Sequence, residues 1–313
     1  MRRRNEVVIA RIVAHRLFTI GSMRPGFEWK LRSRSLPLGE RTLVMGIVNV
    51  TPDSFSDGGL YFEPQRAVEH GLRLLAEGAD ILDIGGESTR PGAKPHVDNV
   101  EETKRVLPVI EGVLRQSPSA VISVDTYKAA TARAALAIGA EIVNDVSGFS
   151  WDEEMRSLLA REHCGCVLMH SRGRPEQWKR LPALARDEVV PIVRDDLRQL
   201  ANLAISAGIA REGVVLDPGF GFGKRMDENF PLIARFSELH ALGFPLLSGT
   251  SRKSFLARTA AGNVTKSALR LAGTLASVTA TVLQGAHIVR VHDVQQVVEA
   301  VRVADAVLRA EAQ

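Results

Sequence analysis

Cysteine is almost missing from this 313-residue chain: there are two, Cys164 and Cys166, a single residue apart. They cannot form a disulfide framework, and one pair is too few for a structural zinc site. His163 and His170 lie near enough to make a metal cluster the alternative, but buried thiols entering a strand are the expectation, in a reducing cytoplasm. Aromatic residues make up only 5% of the chain and are not interleaved with its basic residues, so nucleic-acid binding is not expected. No apolar run approaches the roughly 20 residues of a membrane span, which argues against a membrane protein. A dinucleotide fingerprint after the first strand is also missing. The stretch Gly219-Phe-Gly-Phe-Gly-Lys224 looks like a phosphate loop, but its glycine spacing is one short and Arg225 follows the lysine where Ser or Thr is required. It reads instead as a flexible wall with two aromatic faces, Phe220 and Phe222.

What is present is 45% hydrophobic and 24% charged, ordinary for a globular protein of one large domain or two smaller ones. The net charge of +4 is uneven. Residues 1–41 hold ten Lys/Arg against three acids, so the remainder carries −3. Residues 1–26 read as a basic leader outside the fold. It would be a disordered extension, or upstream sequence with Met23 as the alternative start, or a basic amphipathic helix at a membrane surface. Phe27, Trp29 and Leu31 alternate ahead of a Leu38-Gly39-Glu40-Arg41 turn, which predicts a short hairpin plugging the bottom of a barrel.

From residue 42 the chain keeps a beat. Apolar runs read as strands at Thr42–Asn49, Ile81–Gly86, Val121–Thr126, Ile142–Ser147, Cys166–His170, Val214–Asp217, Pro245–Gly249 and Ile288–Asp293. Helical stretches separate them: Ala67–Glu77, Val100–Leu114, Ala129–Ile138, Asp152–Glu162, Asp187–Ala207, Glu228–Leu242, Lys266–Gln284 and Val294–Ala310. Five of these stop at a glycine: Gly78, Gly139, Gly208, Gly243 and Gly285. Eight strands alternating with eight helices predict one α/β domain over 27–313, a (β/α)8 barrel of the TIM type. A doubly wound open sheet is the alternative.

Each strand ends in polar residues. Asn49 opens the loop Thr51-Pro-Asp-Ser-Phe-Ser-Asp-Gly-Gly59, and Asp83 precedes Gly86-Glu-Ser-Thr-Arg-Pro-Gly92. Then come Asp125, Asn144-Asp145, Met169-His170, Asp217, Ser248 with Ser251-Arg-Lys-Ser254, and Arg290-Val-His-Asp293. In a barrel all of these share one rim. Helix capping alone would need Ser, Thr, Asp or Asn, not Lys, Arg and His. Asp125, Asn144 and Asp217 suit a flat heterocycle with an amino-pyrimidine edge, which a carboxylate binds through two hydrogen bonds. The bland reading has Asp217 capping its turn or pairing with Lys253. Thr89, Arg90, Arg290 and His292 suit phosphate. Asn49 suits a hard cation such as Mg2+ completed by substrate phosphates. No base-activated Ser or Cys nucleophile is evident.

The first two loops, with Ser251-Arg-Lys-Ser254 and Arg290-Val-His292, resemble the dihydropteroate synthase family of folate biosynthesis over roughly residues 27–310. The resemblance implies a (β/α)8 barrel that condenses 6-hydroxymethyl-7,8-dihydropterin diphosphate with para-aminobenzoate, releasing pyrophosphate. By motif position, Asp125, Asn144, Asp217 and Lys253 would bind the pterin, with Arg290 stacked over it. Met169 and Phe222 would belong to the same site. Asn49 would hold Mg2+ with the diphosphate, and Thr89, Arg90, Arg290 and His292 would grip the leaving phosphates. Phe55, Pro91 and Ser254 would frame the para-aminobenzoate pocket, and Asp57 would order the closed site. The catalytic set is then Asp57, Arg90, Lys253, Arg290 and His292. Arg290→Ala would cut turnover by orders of magnitude with little loss of stability. The family implies a homodimer, for which the apolar Leu271–Leu283 helix is a candidate face, with a place in the core as the equal alternative. The fifth loop, Met169-His-Ser-Arg-Gly-Arg174, departs from the common family pattern. Two rivals share the barrel: a pterin-binding methyltransferase module, and a non-catalytic pterin-binding paralogue.

Overall fold

In the computed structural model, the described residues are 24–51, 64–88, 97–259 and 266–311. The chain opens with an antiparallel pair, β1 (Phe27–Lys30) and β2 (Ser35–Leu38), with Phe27 opposite Leu38. Strands and helices then alternate. They are β3 (Leu43–Asn49), α1 (Pro64–Ala76), β4 (Ile81–Gly85), α2 (Asn99–Gln116), β5 (Val121–Asp125), α3 (Ala129–Ala137), β6 (Ile142–Asp145) and α4 (Glu154–Glu162). The second half has β7 (Gly165–Met169), α5 (Val189–Ser206), β8 (Val214–Asp217), α6 (Asn229–Ala234), β9 (Leu247–Ser248), α7 (Lys266–Leu283), β10 (Ile288–Val291) and α8 (Val294–Glu311).

The eight strands after the hairpin run parallel in the order β8-β7-β6-β5-β4-β3-β10-β9. The ring closes where Leu216 bridges Leu246 and its N–H donates to Pro245 O at 3.0 Å. This is the (β/α)8 barrel expected from the sequence. All five punctuating glycines take left-handed backbone angles, with φ from +71° at Gly243 to +111° at Gly139, which L side chains rarely adopt.

The expected helix over 228–242 breaks. The Arg235 backbone leaves the helical region at φ −123°, and its N–H donates to Pro231 O. A tighter 3-10 stretch, Phe236–Leu242, follows. Its buried residues, Phe236, Leu239 and Leu242, recur every third position, which is the 3-10 period and not the α period.

The core divides in two. A large layer lies between strands and helices. A smaller one fills the barrel floor with Met45, Ile81, Val121, Ile142, Val167, Val215, Leu247 and Ile288. The hairpin seals that floor from below. Trp29 is fully buried among these residues, and its indole N–H donates to Gly213 O at 2.9 Å. Upstream of the hairpin, the buried Arg24 pairs with Asp305 of α8 at 2.8 Å and also donates to Thr42 Oγ1. Cys164 and Cys166 are buried thiols, and burial pushes Cys164 up to about 12. No helix among the described residues is long and apolar enough to cross a membrane.

Candidate active site

Side chains along a strand alternate between faces, so the residue two past each floor residue also points into the barrel. After Ile81 comes Asp83, then Gly85; after Val121 come Ser123 and Asp125. After Ile142 comes Asn144, after Val167 Met169, after Val215 Asp217, and after Ile288 Arg290. The apolar floor is therefore capped by a largely polar layer, with Met169 its apolar member, built from several strands of the ring.

Arg290 stands at the centre of that layer. Its Nε donates to Asp83 and its Nη2 to Asp125. Asn144 Nδ2 donates to the same Asp83 oxygen at 2.9 Å. Asp83 is fully buried, and its second oxygen has no hydrogen-bond partner; nor does the buried hydroxyl of Ser123, its register neighbour on β5. Burial pushes Asp125 up to about 7, with Arg290 opposing and Asp83, Glu102 and Asp145 adding repulsion. Burial works against the charge on Arg290, yet Asp83 and Asp125 hold its pKa above the ordinary value.

Across the barrel, Asp217 is buried and accepts the Gly219 N–H at 2.7 Å. Burial raises its pKa, and the Gly219 bond, Lys253 and Lys224 lower it. Lys253 donates to Phe220 O, and its ammonium sits 4.1 Å from the centroid of the Phe222 ring. Burial pulls Lys253 down to about 7, with Asp217 opposing. Met169 is buried with Tyr127 and Val146, and Trp151 and Phe222 pack on them as an apolar wall. The edge of Trp178 meets Phe222 at 5.5 Å.

His292 lies at the end of β10 against Ser251. The Ser251 Oγ is 2.9 Å from the ring Nδ1 and accepts the His292 backbone N–H at 3.1 Å. Ser254, two residues past Arg252, is exposed at the rim. Asn49, at the end of β3, is half-buried, and among the described residues its side-chain amide has no hydrogen-bond partner. No group of three His, Cys, Asp or Glu among the described residues could hold a metal ion. Asn49 therefore offers one neutral oxygen. That fits a hard divalent cation which takes its other ligands from substrate oxygens and water.

The expected residues Asp125, Asn144, Met169, Asp217, Phe222, Lys253, Ser254, Arg290, His292 and Asn49 thus share one rim. Phe55, Asp57, Thr89, Arg90 and Pro91 lie outside the described residues. Phe220 is not a wall of the site. It is fully buried, stacked with Phe236 and Phe255. Asp217 caps its turn through the Gly219 N–H, but no direct ion pair joins it to Lys253 among the described residues. Asp145 also caps its own turn, accepting the Ser147 and Phe149 N–H groups at 2.7 and 3.0 Å.

Sequence reasoning passed over Asp83 as a site residue. The signal was there: a carboxylate inside the apolar run Ile81-Leu-Asp-Ile-Gly85 has to be paired. It also passed over a buried network at the stem of the second loop. There Lys128 donates to Glu87 and, at 3.1 Å, to Glu102, which also accepts from Thr126 and Thr131 at 2.9 Å each. Nothing local marks those partners, because they come from separate elements.

An amide and two carboxylates thus stand on one rim with an arginine and a lysine, beside the apolar Met169 and Phe222. The chain belongs to the pterin-binding enzyme family, whose profile, "Pterin binding enzyme", matches residues 45–292. Within that family it is similar to several dihydropteroate synthases. The Escherichia coli (strain K12) dihydropteroate synthase is 45% identical over 269 residues, covering 85% of this chain and 92% of the relative. The Xanthomonas albilineans dihydropteroate synthase with 4-aminobenzoic acid superposes with a TM-score of 0.81 at 42% identity, covering 90% of this chain and 98% of that one. The same enzyme in complex with 7,8-dihydropteroate gives 0.77 at 41% identity, with the same coverages of 90% and 98%.

Proposed function

We infer that this chain is a dihydropteroate synthase: it joins 6-hydroxymethyl-7,8-dihydropterin diphosphate to para-aminobenzoate, giving 7,8-dihydropteroate and pyrophosphate. The carrying observation is the polar layer of Asp125, Asn144, Asp217, Lys253 and Arg290 on one rim, in a chain similar over nearly its whole length to enzymes of that name.

In this reading Asp217 accepts two hydrogen bonds from the amino-pyrimidine edge, and Asn144 and Lys253 complete the ring's contacts. Asn144 is already oriented by its bond to Asp83. Asp125 shares its carboxylate with Arg290, so ring and guanidinium are held by one acceptor. Met169 and Phe222 give the ring its apolar faces. The bond from the pterin methylene to the diphosphate oxygen breaks, and its electron pair leaves with the diphosphate. The methylene cation is delocalised into the pterin. The arylamine nitrogen then attacks, forms the carbon–nitrogen bond and loses a proton to solvent or to the departing pyrophosphate. Arg290 and His292, with Thr89 and Arg90, stabilise the leaving charge. Ser251 holds the His292 ring in place for this role. Phe55, Pro91 and Ser254 frame the arylamine, and Asp57 orders the closed site. A divalent cation, Mg2+ in this proposal, held by Asn49, would supply further charge neutralisation on the diphosphate.

The barrel occupies 27–313 and works as a cytoplasmic homodimer, with no nucleic acid or membrane partner. The exposed Val303 and Val307, one turn apart on α8, support such a face between copies. The decisive experiment measures pyrophosphate release from purified protein with the pterin diphosphate and Mg2+, with and without para-aminobenzoate. Arylamine-dependent release with dihydropteroate formed is the expected result. Pterin binding without release would favour the methyltransferase-like or non-catalytic alternative.

A further inference from the structure

The loop Gly219 to Lys224 ends in a lysine that the chemistry above does not use. Lys224 is buried, and its Nζ donates to three carbonyl oxygens: Gly219 at 2.6 Å, and His170 and Phe222 at 3.3 Å each. An ammonium has three N–H groups, and here three acceptors receive them. The loop is shaped for this. Gly219, Gly221 and Gly223 all sit at positive φ, +65°, +82° and +69°. A Cβ on Gly219 would stand 2.0 Å from His170 O, so the fifth and sixth loops touch backbone to backbone beside Nζ.

The opposite side of the same loop is the pterin wall. Gly219 N–H holds the Asp217 carboxylate, Phe220 O receives Lys253, and the Phe222 ring lies beneath the Lys253 ammonium. Two lysines thus grip one turn, Lys253 from the site and Lys224 from behind. Without Lys224, His170 O would lose its donor, while Gly219 O and Phe222 O would keep only the backbone N–H groups of Phe222 and Arg172, and the turn would be free to relax. We propose that Lys224 is a positioning residue for pterin binding: it fixes the carbonyls of Gly219, Phe222 and His170, and thereby sets the Phe222 wall and the Gly219 N–H that orients Asp217. This rests on the pterin reading of the site.

The test compares the wild-type full chain with Lys224→Met, a side chain of similar length with no donor. It measures the dissociation constant of a non-reactive pterin lacking the diphosphate, by calorimetry, and the KM of both substrates. Loss of the donor is expected to weaken pterin binding by about tenfold or more and to raise KM for the pterin diphosphate with it, while KM for para-aminobenzoate stays within about twofold. Lys224→Gln, which keeps N–H groups but no charge, is expected to fall between the two and stands in if the Met variant does not fold. A folded variant with wild-type pterin affinity overturns the proposal. So does an equal rise in both KM values with a lowered melting temperature, and so does failure of both variants to fold, since each makes Lys224 a residue of the fold alone. A wild-type protein that binds no pterin overturns the pterin reading itself, which separates that failure from this one.

Discussion

Arg290→Met removes the only cation in contact with Asp83 and Asp125 among the described residues and leaves an apolar side chain of comparable reach. Removing one partner of a buried ion pair costs about 3–5 kcal/mol. The Asp83 arm is wholly buried, but the Arg290 and Asp125 side chains are 22% and 16% exposed, so water screens the second arm. The low end, about 3 kcal/mol, is expected, and at about 2 °C per kcal/mol for a domain of this size it lowers the melting temperature by about 6 °C. This replaces the sequence-based expectation of little stability loss. The deficit depends on pH. Folded Asp125 already holds its proton up to about 7, above its ordinary value near 3.8, and losing Arg290 raises it further. Above about pH 7 the folded variant still binds a proton that the unfolded chain has lost, so its stability keeps falling while the wild type levels off. Melting curves by circular dichroism at about pH 6 and about pH 8.5 should show the larger gap at the higher pH. Asp83→Asn in the Arg290→Met background should return part of the loss, and turnover should fall about 100- to 1,000-fold. A variant that melts with the wild type at the higher pH would refute the buried triad.

Four further outcomes are expected. Lys253 donates most strongly as an ammonium, and burial brings it to about 7, so kcat/KM for the pterin diphosphate falls as pH rises through that value; Lys253→Met flattens this limb, and a flat wild-type profile contradicts the assignment. Phe220→Ala costs about 3–5 kcal/mol in denaturant melts with pterin affinity little changed, whereas Phe222→Ala weakens pterin binding with a smaller stability loss; the reverse pattern would exchange their roles. Trp29→Ala opens the barrel floor and costs about 3–5 kcal/mol, while turnover per folded molecule is retained below the melting range. Chelation of divalent cations stops pyrophosphate release and Mg2+ restores it, with Asn49→Ala raising the Mg2+ concentration needed; release that ignores the chelator would remove the cation from the reaction.

The barrel was legible because its signals are local. The run Leu43–Val48 has no polar alternation, so it must be covered on both faces, and each glycine stop is a backbone requirement within one turn. The site was legible at strand ends for the same reason: Asn49, Asp125, Asn144, Asp217 and Arg290 each interrupt an apolar run at a rim. The 228–242 segment was misjudged because a three-residue period and a four-residue period overlap over so few turns. Phe220 and Phe222 have the same local signature, and only the neighbours Phe236 and Phe255 decide which of them is core.

By itself the sequence determined the order of elements, the layer in which each inward residue sits, and the chemical types that the rim collects. These follow from the strand period of two, from apolar runs and from glycine caps, all properties of neighbouring residues. Only the tertiary structure decided that Arg290 is bound by Asp83 and Asp125, that Lys224 binds the carbonyls of Gly219, Phe222 and His170, and that the hairpin's Trp29 closes the floor. Those pairings join residues up to 207 positions apart. They depend on how the ring closes, which no local pattern encodes.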